Sequence, residues 1–162
     1  MAYERLGRLR FRPLSLSHYA RGTRERNIYN PWAKRRLDCL SAGAGAGGFL
    51  SGWGSYRRPD VARYVESAAK GEFAPDFLTA PPPSEALSSF VVGEMEEGYL
   101  DLRALEEDHG VDPSAFARLL DNWREAGLAD VEDGVASMTV AGRFWGVNLA
   151  QAALEALAAA GR

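Results

Sequence analysis

The 162 residues are 46% hydrophobic and 25% charged, the composition of an ordinary soluble globular protein that can bury one good core, or a small core plus a satellite. No apolar run approaches the ~18 residues of a membrane span and the arginine-rich start lacks the apolar stretch of a secretory signal, so a cytoplasmic location without membrane contact is expected; the single cysteine, Cys39, excludes an internal disulfide. The net charge of −3 is unevenly spread: residues 1–36 hold ten Arg or Lys against Glu4 and Glu25, a net +8, and the remainder carries −11.

That basic start offers a cationic surface to an anionic partner, or simply pairs with the acidic remainder. Residues 8–12 alternate Arg with Leu9 and Phe11 like a strand, with an apolar edge that would favour self-association or a partner chain. Residues 14–19 repeat the alternation and predict a half-buried strand. Residues 20–32 are too polar and too rich in turn formers for a packed element and read as a binding loop. Residues 37–50 are small and apolar, with Gly43, Gly45, Gly47 and Gly48 permitting close approach of a backbone or ligand. Cys39 within that run reads as a small buried hydrophobe.

Residues 52–58 predict a strand reached through a turn, and Pro59 opens a helix to 70 with Val61, Tyr64, Val65 and Ala68 on one face and Gly71 past its end. Residues 72–83, with Pro75 and Pro81-Pro82-Pro83, are expected to form neither helix nor sheet and divide the chain into 1–74 and 75–162. Ser84 is the expected N-cap of a helix over 85–99 carrying Leu87, Phe90, Val91 and Met95. A short helix over 102–108 follows, closed at His109-Gly110. Asp112-Pro113-Ser114 opens another, with Phe116, Leu119, Leu120 and Trp123 as its core stripe and Gly127 as its cap. Asp133-Gly134 between two apolar runs is a hairpin signal, and an Ala/Leu-rich helix closes the chain from about 141 to 160. Helix, helix, helix, hairpin, helix is the order of a winged-helix domain.

Several of these residues carry a family resemblance. His18-Tyr19-Ala20-Arg21-Gly22, Arg26-Asn27-x-Tyr29, Asp38 followed by Gly43-Ala44-Gly45-Ala46, Asp60-x-x-x-Tyr64 and the stretch from Met138 to Leu149 resemble the C-terminal part of the oxygen-independent coproporphyrinogen III oxidase-like radical SAM proteins. The likeness is strongest to their haem-utilisation, anaerobic haem-degrading branch. It implies an α+β architecture: 1–74 as the partial sheet and helix that end a radical SAM barrel, and 75–162 as a small winged-helix-like domain. It also implies S-adenosylmethionine and a [4Fe–4S] cluster in full-length members, and haem or porphyrin as the molecule handled. The family's CxxxCxxC motif is missing. One cysteine cannot supply the three thiolates of the cluster, so oxidoreductase or methyltransferase chemistry is not expected of this chain alone. It would bind tetrapyrrole or dock to a catalytic half, or pair with itself.

Under that resemblance Gly43, Gly45 and Gly47 are candidates for backbone contact with S-adenosylmethionine or substrate, or mark tight packing; GAGAGG lacks the context of a dinucleotide fingerprint. His18, Tyr19, Arg21, Arg24, Arg26, Asn27, Tyr29 and Asn30 are the candidate substrate-binding set, since guanidinium forks suit propionates and His18 offers an axial nitrogen for haem, unless it is merely solvated. No other metal ligand is expected. His109 reads as a capping cation at a helix end. A DNA-binding regulator is the competing reading, but the would-be recognition helix is net negative and the wing tip is Glu132-Asp133, which would repel phosphate. A remnant without independent activity is the third.

Overall fold

The computed structural model describes residues 2–160. Its first half is a string of small elements: α1 (Ala2–Arg8), β1 (Arg12–Pro13), β2 (Tyr19–Ala20), α2 (Tyr29–Lys34), β3 (Gly47–Leu50), β4 (Trp53–Tyr56), α3 (Val61–Ala69) and β5 (Phe77–Thr79). The second half contains α4 (Glu85–Glu97), β6 (Tyr99–Asp101), α5 (Leu102–His109), a 3₁₀ turn (Pro113–Phe116), α6 (Ala117–Glu125), β7 (Ala129–Glu132), β8 (Val135–Met138), α7 (Val140–Phe144) and α8 (Gly146–Ala160). The architecture is α+β, with antiparallel pairing throughout.

Several local expectations change. Residues 8–12 do not form a strand: Arg8 ends α1, and residues 9 and 10 turn the chain, with Arg10 in the left-handed region (φ 61°), so that only Arg12 enters β1. Residues 14–17 form the bend of a tight β1–β2 hairpin instead of a strand, closed by the Leu14 N–H donating to the His18 carbonyl at 2.8 Å. Residues 77–79 do form a strand between the prolines: β5 adds to the edge of β4, pairing Ser55 with Leu78 and Tyr56 with Phe77. Ser84 makes no side-chain cap, whereas Asp60, Asp101, Asp112 and Thr139 each accept a backbone N–H at a helix start. The last helix is broken at Trp145 into α7 and α8.

The core lies in the second half. Val91, Met95, Leu100, Leu105, Phe116 and Ala153 are at most 1% exposed, and Leu102, Leu120, Trp123, Ala129, Ala136, Met138 and Leu149 complete the cluster. Sheet β6–β8–β7 is packed by α4, α5, α6 and α7, and α8 lies against α4, α6 and the 3₁₀ turn. Its hairpin turns at Asp133 (φ 47°) and Gly134 (φ 77°), the paired positive φ of a type I′ turn, as the Asp-Gly dipeptide predicts.

Two glycine seats fix the first half on the second. At Gly93 of α4, an added Cβ would sit 2.8 Å from Arg35 Nε, so the Arg35 stem lies flat on the helix. At Gly146 it would sit 2.5 Å from Leu16 Cδ1. Leu16 N–H also donates to the Glu96 carbonyl (2.8 Å), and Arg35 Nη2 pairs with Glu97 Oε1 (3.1 Å). A third seat lies within the second half, where the Arg143 guanidinium covers Gly98, the left-handed cap of α4, and Nη2 donates to the Glu97 carbonyl at 3.1 Å.

Candidate functional site

The candidate residues of the 18–30 loop separate into a knit cluster and an exposed fringe. Asn27 takes a left-handed conformation (φ 48°), is 7% exposed, and donates its backbone N–H to Glu25 Oε1 at 2.6 Å. Asn30, in the first turn of α2, has its Nδ2 2.7 Å from Asn27 Oδ1 and 3.0 Å from His18 Nδ1. Pro31 is tolerated here because the first turn of a helix needs no donor from it. His18 itself is exposed. Tyr19 sits in β2, its ring edge-on to Tyr3 with centroids 6.4 Å apart. Arg21, Arg24, Arg26 and Tyr29, which flank the cluster in sequence, are exposed. The structure thus joins His18, Asn27 and Asn30 and leaves the three arginines on the surface.

The glycine run lies with a different set of partners. Gly43 (φ 106°) and Gly45 (φ 75°) shape a turn that no other residue type enters cheaply. The Gly45 N–H donates to the Arg58 carbonyl at 3.1 Å, and the Arg57 N–H donates to the Ala46 carbonyl at 2.9 Å. Gly47 needs no exclusion of a side chain, since a Cβ there meets nothing closer than 3.8 Å. Gly48, read with the run as a close-approach position but not placed in the candidate contact set, is the tight position: a Cβ would stand 2.7 Å from Ser41 N and collide with the Cys39 carbonyl. That closeness lets Cys39 and Phe49 exchange both backbone hydrogen bonds at 2.8 Å. The strict backbone contact of this segment is therefore with its own chain.

Register puts Leu50, Trp53, Ser55 and Leu78 on one face of β3–β4–β5, where they line a pocket of about 680 Å³ with Leu40, Tyr64 and Phe73. The lining is mostly apolar and open: Leu40 is 76% exposed, Leu78 63% and Phe73 61%. At its base Arg57, 7% exposed, is used up structurally. Nε donates to the Ser41 carbonyl and Nη1 to the Ala74 carbonyl, both at 3.1 Å, and Nη2 donates to the Phe73 carbonyl. The apolar face of α3 is not buried either, with Val61 67% and Val65 59% exposed. Arg58 and Arg63 converge on Asp76.

Electrostatic perturbations lie elsewhere, at the seam of the halves. Burial pushes the Glu94 carboxyl up, against the Asp101 backbone N–H, which donates to Oε2 at 2.7 Å, and the Arg35 charge, which both pull it down. Burial likewise raises the neighbouring Tyr99, with the Glu94 and Glu97 charges adding to it. Asp101 is held low, first by its hydrogen bond to Arg103. His109 stacks against Phe90, with centroids 4.8 Å apart. Among the described residues, no three His, Cys, Asp or Glu side chains are grouped to hold a metal ion, and the single cysteine does not fit a three-thiolate cluster. No helix among them is long and apolar enough to cross a membrane.

No family model matches the chain. It is 30% identical over 145 residues to the anaerobilin synthase of Escherichia coli O157:H7, a match covering 90% of this chain and 32% of that protein. Its fold is similar to the coproporphyrinogen III oxidase of Escherichia coli, described as a radical SAM enzyme, with a TM-score of 0.67 at 14% identity over 93% of this chain and 38% of that one. The resemblance read from the motifs is thus present in both sequence and fold, and the chain spans about a third of the relatives it matches.

Proposed function

We propose that this chain, a homologue of anaerobilin synthase with the fold of part of a coproporphyrinogen III oxidase, is a haem- or porphyrin-handling module that does not catalyse alone. It docks through the open face of β3–β4–β5 onto a polypeptide that supplies the remaining two thirds of the relatives' length. The observation carrying this reading is that face: an apolar sheet with a pocket of about 680 Å³, in a chain whose relatives continue for twice as much sequence again. An apolar expanse of this kind marks an interaction surface. The partner carries the cysteine motif for the cluster and S-adenosylmethionine.

The tetrapyrrole contact falls to the 18–30 loop. Arg21, Arg24 and Arg26 are available to pair with propionates, as planar forks that match carboxylates. His18 would supply a nitrogen ligand to the iron of a bound haem, and Tyr29 would offer a flat apolar neighbour. The second half, ordered α4, β6, α5, α6, β7, β8, α7, α8, serves as a winged-helix-like packing module; Glu132 and Asp133 at its turn disfavour a DNA backbone. We place the protein in the cytoplasm.

An anaerobic haem titration followed in the Soret band tests the ligand. A saturable one-to-one shift at low-micromolar affinity or better, about −8 kcal/mol, weakened by Arg21→Ala and His18→Ala, is expected. Non-saturating changes insensitive to both substitutions would remove tetrapyrrole binding from this chain.

A further inference from the structure

The His18–Asn30–Asn27 cluster contains a conflict that its own geometry resolves. With Asn30 Nδ2 donating both to Asn27 Oδ1 (2.7 Å) and to His18 Nδ1 (3.0 Å), the neutral imidazole must carry its proton on Nε2. The same arrangement leaves Asn27 Nδ2 buried without a partner, in a residue only 7% exposed. A buried donor without a partner costs on the order of 1–3 kcal/mol, and orphaned donors are rarer than under-satisfied carbonyls. The two ends of a carboxamide are isosteric, so the proton arrangement must be assigned from the network.

Turning both amides by half a turn keeps both heavy-atom contacts. Asn27 Nδ2 then donates to Asn30 Oδ1, and His18 Nδ1–H donates to the same oxygen, which has two lone pairs for the purpose. The orphaned buried position becomes a carbonyl oxygen, and the displaced Asn30 amino group belongs to a half-buried residue that water reaches. We infer that Asn27 and Asn30 are positioning residues that hold His18 as its Nδ1–H tautomer and present the Nε2 lone pair outward as a ligand or proton acceptor. A ring nitrogen that donates to an amide or carboxylate oxygen, leaving the other nitrogen as the ligand, is the arrangement metal-binding histidines use. The backbone contributes preorganisation: the Glu25 contact fixes Asn27, and the Arg35 seat on Gly93 fixes the far end of α2.

The iron as target rests on the proposed tetrapyrrole function, whereas the tautomer does not. The test is two-bond ¹H–¹⁵N ring NMR on the full chain labelled at histidine, above the pKa of the ring, with His18→Gln to assign the signals. The Nδ1–H pattern is expected for His18. Asn30→Leu should abolish it, and Asn30→Asp, which can only accept, should retain it. An Nε2–H pattern in the unaltered chain, or an Nδ1–H pattern that survives Asn30→Leu, would overturn the inference. An Nδ1–H pattern with no Soret response would leave the inference standing and refute only the haem reading.

Discussion

Two antiparallel three-stranded sheets lie in this chain, and they are finished differently. β6–β8–β7 is roofed by helices, so that Leu100, Ala129, Ala136 and Met138 are all 8% exposed or less. β3–β4–β5 has the same number of strands and residues at least as large, yet Leu50, Trp53, Tyr56, Phe77 and Leu78 remain 43–63% exposed. Apolar content does not separate them; the presence of a partner layer does. A sheet hydrophobic on one face must bury that face against something, and the first sheet holds its shape by local devices instead: the Gly48 close approach, the three carbonyls gathered by Arg57, and ion pairs around Asp76.

The comparison breaks first if the roofed half is hollowed. Phe116→Ala should cost about 3–5 kcal/mol, the range for truncating a buried aromatic, read as a fall in the denaturant midpoint with little change in slope. A loss below about 1 kcal/mol would mean that the second half is not the stability centre. Gly48→Ala, by contrast, should cost about 1–3 kcal/mol, as overpacking does, and only in the open sheet. Amide exchange at Cys39 and Phe49 should accelerate, while Leu100 and Ala136 keep their protection.

A subtler separation comes from pH. Glu94 is raised above its ordinary 4.5 by burial, so its ionised form is favoured less in the folded than in the unfolded chain. Its penalty is absent below the unfolded pKa and develops as pH rises through the folded one. Glu94→Gln, which keeps an acceptor for the Asp101 N–H, should therefore gain stability relative to the unaltered chain from pH 4 to 7. An unchanged difference across that range would show that Arg35 fully compensates the charge. The smallest effect belongs to the open face: Leu78→Ser and Leu50→Ser should change stability by no more than about 0.5 kcal/mol, as exposed substitutions do, yet abolish capture of the polypeptide that carries the cluster motif. A loss of several kcal/mol would mean that the face is already covered.

Legibility in the sequence follows the same divide. α4, α6 and the Asp133-Gly134 hairpin were readable because a buried stripe and a left-handed turn leave period and residue-type signatures. α1, β5 and β6 were not: α1 is only seven residues long and carries few apolar positions, and three-residue strands have no room for a period. β5 exists because the free edge of β4 offers hydrogen bonds, as where Ser55 pairs with Leu78, a cause distant in sequence and visible only in three dimensions. In the candidate site, the loop's polarity pointed to His18, Asn27 and Asn30 together, but not to their mutual hydrogen bonds. The glycine run pointed to close approach, Gly48 included, but not to which glycine is strictest, because the chain that approaches Gly48 is Cys39-Leu40-Ser41 from the same run.

The seats at Gly93 and Gly146 act as alignment pins. A helix turns about 100° per residue, so stepping α4 round by one position would bring Val92 or Glu94 beneath Arg35 in place of bare backbone. The relative setting of the two halves is therefore indexed at these two positions, where an added methyl group would force the Arg35 or Leu16 side chain to move. Evolution could exchange the exposed sheet for one fitting another partner without disturbing the joint, provided those two glycines travel with it.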